Sequence, residues 1–79
     1  MTGRVVLSKA GRDKGKLLAV IKEENGFVYL CDGKERPVKR PKRKKLKHVE
    51  FMDGCVKDLE TNRSIKKALY EYKILKEQN

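Results

Sequence analysis

Asn25-Gly26 stands between two strand-like runs, Leu17 to Glu24 and Phe27 to Cys31. A type I′ turn needs positive φ at both of its central residues, and Asn-Gly meets that demand better than almost any other pair. The two runs are therefore predicted to fold back on each other as an antiparallel hairpin, which commits the middle of this 79-residue chain to a sheet. Asp32-Gly33 repeats the turn chemistry, so Lys34 to Arg40 is expected to form a further strand closing a meander. Pro37 lacks an N–H and places that strand at an edge or at a bulge. Upstream, Gly3 to Lys9 carries Val5, Val6 and Leu7 and reads as a short strand. Ala10 to Lys16 holds two glycines around charged residues and reads as a tight exposed turn. Pro41 and the Lys42 to Lys45 run read as an exposed loop, and His48 to Met52 as a fifth strand. Five short strands in about fifty residues imply a small, strongly bent barrel.

The hydrophobic period then changes. Ile65, Ala68, Leu69, Tyr72 and Leu75 recur at the spacing of one helical stripe, with Asn62 or Ser64 as the expected N-cap. Lys66, Lys67, Lys73 and Lys76 lie off that stripe, and Tyr70 and Ile74 form a flanking apolar pair with Tyr70 the more exposed. A helix of roughly sixteen residues is marginal alone in water, so it is expected to dock on the barrel or on a partner. The expected organisation is thus a barrel over residues 1–55, with a basic loop at 34–48, and a helical segment over 56–79.

Charge is concentrated rather than spread. The chain has 21 Lys+Arg against 11 Asp+Glu, a net charge of +10. Between Lys34 and His48 nine basic residues face the single acid Glu35, which gives +8 there and leaves only +2 for the other 64 residues. Like charges packed this densely repel and cost folding free energy, so the cluster implies a polyanionic partner, with nucleic acid the first choice over a merely solvated face.

Other classes fail on inventory. Cys31 and Cys55 are 24 positions apart, and His48 is the only histidine, so no structural metal set is available and both thiols read as small apolar residues. No run approaches the ~20 apolar residues of a membrane span. The segment after Met1 has no apolar signal region, so a cytoplasmic location is expected. Ser8 and Ser64 lack a nucleophile context and Gly11 to Lys16 is not a Walker loop. The expectation is a protein that is not an enzyme, without cofactor, metal or small-molecule substrate.

Gly3-Arg4-Val5-Val6 followed by Ala10-Gly11-Arg12-Asp13-Lys14-Gly15-Lys16 and an apolar strand resembles the KOW motif. The later pieces, Phe27 to Leu30, Asp32-Gly33-Lys34, Arg36-Pro37-Val38 and Lys45-Leu46-Lys47-His48-Val49, are similar to small bacterial KOW-domain proteins related to the ribosomal family L-fourteen-e. The resemblance implies an SH3-like five-stranded barrel followed by the C-terminal helix, RNA binding, and a ribosome- or translation-associated role. It implies that Gly11 and Gly15 shape the first loop, that Arg12, Lys14 and Lys16 contact RNA, and that Arg36, Lys39, Arg40 and the Pro41 to His48 segment extend the surface.

From the chemistry of the side chains, Arg12, Arg36, Arg40 and Arg43 are the candidates for forked or stacked contacts, while Lys42, Lys44, Lys45 and Lys47 provide positive field. Phe27, Tyr29, Phe51 and Tyr72 are assigned to the core, and His48 to a local hydrogen bond. Recognition of RNA backbone and shape is expected, with weak sequence preference. The alternative is a protein-interaction adaptor that docks an acidic protein on the barrel face or through Tyr70 and Ile74 of the helix.

Overall fold

The computed structural model describes residues 2–78. Five strands, β1 (Arg4–Ser8), β2 (Leu17–Glu24), β3 (Phe27–Cys31), β4 (Lys42–Lys45) and β5 (Val49–Cys55), are followed by one helix, α1 (Asn62–Glu77). The strands form a single antiparallel sheet in the order β4-β3-β2-β1-β5. A 3-10 turn over Leu46–His48 leads from one edge strand to the other. The protein is therefore mainly β with a C-terminal helix, and no helix among the described residues is long and apolar enough to cross a membrane.

Both faces of the sheet bury apolar residues. On one face Val6, Leu18, Val20, Val28, Leu30 and Val49 form a closed cluster with Leu46 and Phe51 packed against it. On the other, Val5, Ala19 and Cys31 pack with Val56 and with Ile65 and Leu69 of α1. The helix covers the second face, so the first must be buried by curvature of the sheet on itself. Lys44 measures that curvature. Strands β4 and β1 are three positions apart in the sheet, about 14 Å if it were flat, yet Lys44 Nζ donates to Ser8 Oγ at 2.9 Å. A lysine stem is too short to span a flat sheet, so the ends of the sheet curl towards each other. Among the described residues no ladder joins β4 to β5.

β2 and β3 occupy the predicted residues, and Asn25 and Gly26 take φ of 51° and 82° as the turn requires. The fourth strand does not lie where the pattern put it. Lys34 to Arg40 has no strand, and the pairing with β3 is made by Lys42–Lys45, read from sequence as a loop. Asp32 is the cause: its Oδ1 accepts from the Lys34 and Arg36 amides, and Asp32 N and Gly33 N both donate to Arg36 O, which winds the chain into a turn. Pro37 consequently sits in a loop, where Arg40 N donates to Pro37 O. The fifth strand runs three residues past Met52.

α1 is anchored along its length. Its N-cap is Thr61, whose Oγ1 accepts from Ser64 N at 3.1 Å; Asn62, an expected cap, instead accepts from Val38 N at 2.7 Å and ties the helix to the preceding loop. At Gly33 an added Cβ would collide with the Asn62 carbonyl, so the helix entry lies directly on that glycine. At the other end the Tyr72 ring lies on Gly54, again at a distance no side chain could share. Tyr72 Oη donates to Asp53 Oδ1 at 2.6 Å and Lys76 Nζ to Asp53 Oδ2 at 2.8 Å. The Lys76 hydrogen bond, with that of Tyr72, lowers the Asp53 carboxyl to about 2. Leu75, at the margin of the predicted stripe, is 63% exposed. Cys31 is buried, and burial together with Asp32 raises its thiol to about 11; Cys55, read like it as a small apolar residue, is exposed.

Candidate nucleic-acid interface

The loop between β1 and β2 is held by its own backbone. Gly15 N donates to Ser8 O, Ser8 N to Lys16 O, Lys14 N to Gly11 O and Lys16 N to Asp13 O. Gly11 and Gly15 both have positive φ, of 75° and 87°. At its centre Asp13 is only 3% exposed and receives Arg36 Nη2 at 3.0 Å and Nε at 3.2 Å. Lys16 pairs with Glu35 and stands 3.8 Å from Asp13. The Glu35 hydrogen bond holds the Lys16 ammonium above its ordinary value, and Lys16 correspondingly lowers the Glu35 carboxyl. These pairs staple residues 35 and 36 to the loop. Arg12 and Lys14 remain exposed on its outside.

Strand β4 is Lys-Arg-Lys-Lys, and its alternation divides those four side chains between two faces. Lys44 points inward. It is 9% exposed, and its ammonium donates to Ser8 Oγ and, at 2.6 Å, to Ala10 O. Burying a charge without acceptors would be very costly; with two acceptors in place, Lys44 becomes a strut that joins β4 to the start of the glycine loop. Arg43 and Lys45 point to the opposite face, where their register partners are Tyr29 and Phe27. Arg43 leans diagonally, placing Cζ 4.4 Å from the Phe27 ring centroid. A cation over an aromatic face contributes about 0.5–1 kcal/mol when exposed and more when desolvated.

Lys22 completes this surface through a bulge. Val20 pairs with Leu30 but Lys22 pairs with Tyr29, so Ile21 is an extra residue that re-phases the strand. Without it Lys22 would share the face of Val20; with it, Lys22 Nζ lies 5.4 Å from the Tyr29 ring centroid. Its ammonium also pairs with Glu24 at 3.4 Å.

The eleven basic residues singled out from sequence therefore fall into two sets. Arg12, Lys14, Lys39, Arg40, Lys42, Arg43, Lys45 and Lys47 are exposed. Lys16, Arg36 and Lys44 are spent on Glu35, Asp13, and Ser8 with Ala10, and they bring the loop, the turn and β4 together rather than facing outward. Lys44, assigned from sequence to the positive field, is the one member of that group whose ammonium points inward.

Sequence reasoning missed Phe27 and Tyr29. Both are half-buried, and neither is among the residues packed against either apolar cluster. The signal was the alternation Phe-Val-Tyr-Leu: the aliphatic pair Val28 and Leu30 fills the interior, leaving the aromatic pair on the other face. The resulting surface offers flat rings and exposed cations side by side, a combination able to stack planar groups while neutralising phosphates. A comparison with protein-family models finds no match for this chain, and a search of curated proteins finds none either.

Proposed function

We propose that this protein is an RNA-binding module, associated with the ribosome or the translation apparatus, that grips RNA backbone through β4 and the glycine loop. The observation that carries this reading is the edge strand β4, where Arg43 and Lys45 stand beside Tyr29 and Phe27 and Lys42, opposite Leu30, is also exposed. An edge of consecutive cations is a poor template for another strand and a good track for a polyanion. Arg43 is already held over a ring, so part of the ordering cost of a stacked contact is met before RNA arrives. The resemblance of the glycine loop and the later segments to KOW-domain proteins supports the same assignment and is the basis for its translational part.

The test is fluorescence anisotropy against structured RNA over a salt series. Each phosphate contact adds a little under one to the slope of log K against log[salt]. Changing Lys42, Arg43 and Lys45 together to Gln is expected to lower that slope by about 2–3 and to weaken binding at least tenfold at moderate salt. A flat salt response in the wild type, or full affinity in the triple variant, overturns the proposal.

A further inference from the structure

The C-terminal helix does more than cover the sheet. Between α1 and the β1–β2 loop lies an open cleft of about 500 Å3, within the roughly 300–1,000 Å3 of small-ligand sites. Its floor is apolar, with Leu7, Leu17 and Leu69, and one wall is Tyr70. Its rim carries Lys34, Lys66 and Lys73, together with Lys16, which is committed to Glu35. The one acid lining it, Asp32, already accepts two backbone amides through Oδ1.

Tyr70 sets the chemistry. It is 64% exposed, the most exposed large apolar side chain among the described residues. On a helix its surface neighbours are three and four residues away: Lys66, Lys67 and Lys73, with only Ile74 apolar and that one half-buried. A helix face built to bury itself against an apolar protein surface would surround the ring with aliphatic residues. Here a single ring is surrounded by ammonium groups above an apolar floor, which complements a ligand that is flat and apolar at one end and anionic at the other. An unpaired nucleotide has that form. Gly15 and Lys16 form the cleft wall and belong to the loop that exposes Arg12 and Lys14, so the cleft continues the basic surface instead of lying apart from it.

We infer that this cleft is a subsite for one unpaired nucleotide of bound RNA, its base against Tyr70 and the leucine floor and its phosphate at Lys66 and Lys73. The inference rests on the RNA-binding reading above and deepens it, because it assigns the helix a part in telling single-stranded from paired RNA.

Two RNAs of equal paired length, one blunt and one with a short single-stranded overhang bearing 2-aminopurine, separate the possibilities. Tyr70→Ala is expected to weaken the overhang RNA on the order of tenfold and to restore 2-aminopurine fluorescence, while leaving the blunt duplex unchanged. Tyr70→Phe, which keeps the ring, retains wild-type behaviour; Lys66→Gln with Lys73→Gln weakens the overhang RNA only. Equal affinity of Tyr70→Ala and wild type for the overhang RNA overturns the subsite while the β4 proposal stands. Equal loss on both RNAs, with an unchanged melting curve, also overturns it. A polyglutamate peptide bound in a Tyr70-dependent way, with no Tyr70 effect on RNA, makes the cleft a protein-docking site. If the wild type binds neither RNA, the underlying reading fails, and the subsite with it.

Discussion

The turns at Asn25-Gly26 and Asp32-Gly33 begin from nearly the same side chains and do different work. Asn25-Gly26 projects into open space, and a Cβ on Gly26 would meet nothing within 4 Å. Its two strands are joined residue by residue, Glu24 to Phe27. Gly33 has a similar φ, 78°, but lies under the first turn of α1. Its neighbour Asp32 spends a carboxylate oxygen on two downstream amides, and the strand resumes only at Lys42. One turn is a local device for reversing the chain. The other is a tertiary joint where loop, sheet and helix meet, and the basic segment that follows inherits its placement from that joint.

That contrast can be broken by experiment, and the largest effect is expected at the joint itself. Gly33→Ala adds a Cβ against the Asn62 carbonyl on a backbone that L side chains rarely adopt. A loss on the order of 3 kcal/mol is expected from strain and overpacking together, read as a Tm lower by roughly 12–24 °C. Gly26→Ala has the same backbone cost without the clash and is expected to lose about 1 kcal/mol in denaturant titration; equal losses at the two glycines would erase the distinction.

Between them in size is Lys44→Ala. It removes an inward ammonium from Ser8 Oγ and Ala10 O, and hydrogen bonds to charged groups contribute about 1.5–3 kcal/mol. The expected result is a loss of stability in that range with the RNA salt slope unchanged, the reverse of the pattern for Lys42, Arg43 and Lys45. A Lys44 variant with wild-type stability and a reduced slope would return Lys44 to the outward set.

The smallest effect belongs to the far end of α1, and it depends on pH. Asp53 is lowered from its ordinary 3.8 to about 2 by Lys76 and Tyr72. A depressed carboxylate contributes stability that is full above the unfolded value and is lost as pH falls through the folded one. The difference in melting temperature between wild type and Lys76→Met is therefore expected to be constant above about pH 5, to shrink as pH falls below that, and to vanish only near pH 1, below the folded value. A carboxyl NMR titration should place the Asp53 midpoint near 2 in the wild type and higher in the variant. A difference that persists undiminished at pH 1 would assign the Lys76 contribution to packing on Tyr72, whose ring centroid lies 5.5 Å from its Nζ.

The parts legible in the sequence are those whose cause spans a few residues. The Asn25-Gly26 hairpin needs only its own φ preferences and its apolar flanks, and the helix needs only a 3.6-residue period over Ile65, Leu69 and Tyr72. The glycines of the β1–β2 loop and the surplus of positive charge between Lys34 and His48 are likewise written in adjacent positions. Strand β4 was not legible. Four consecutive cations carry no hydrophobic alternation, so nothing local separates a strand from a solvated loop; β3 supplies the pairing, and the buried end of β1 supplies the acceptors that draw Lys44 inward.

The same limit applies to the aromatic surface. Whether Phe27 and Tyr29 or Val28 and Leu30 face the interior depends on which face of β3 the curled sheet encloses, and whether Lys22 joins the rings depends on one extra residue at Ile21. Composition and turn chemistry thus determined a basic, mainly β chain with an amphipathic C-terminal helix. The curvature of the sheet and the seat of the helix on Gly33 and Gly54 decided which cations serve the fold and which are left facing solvent, because the energy of a buried charge or ring depends on neighbours far away in the chain.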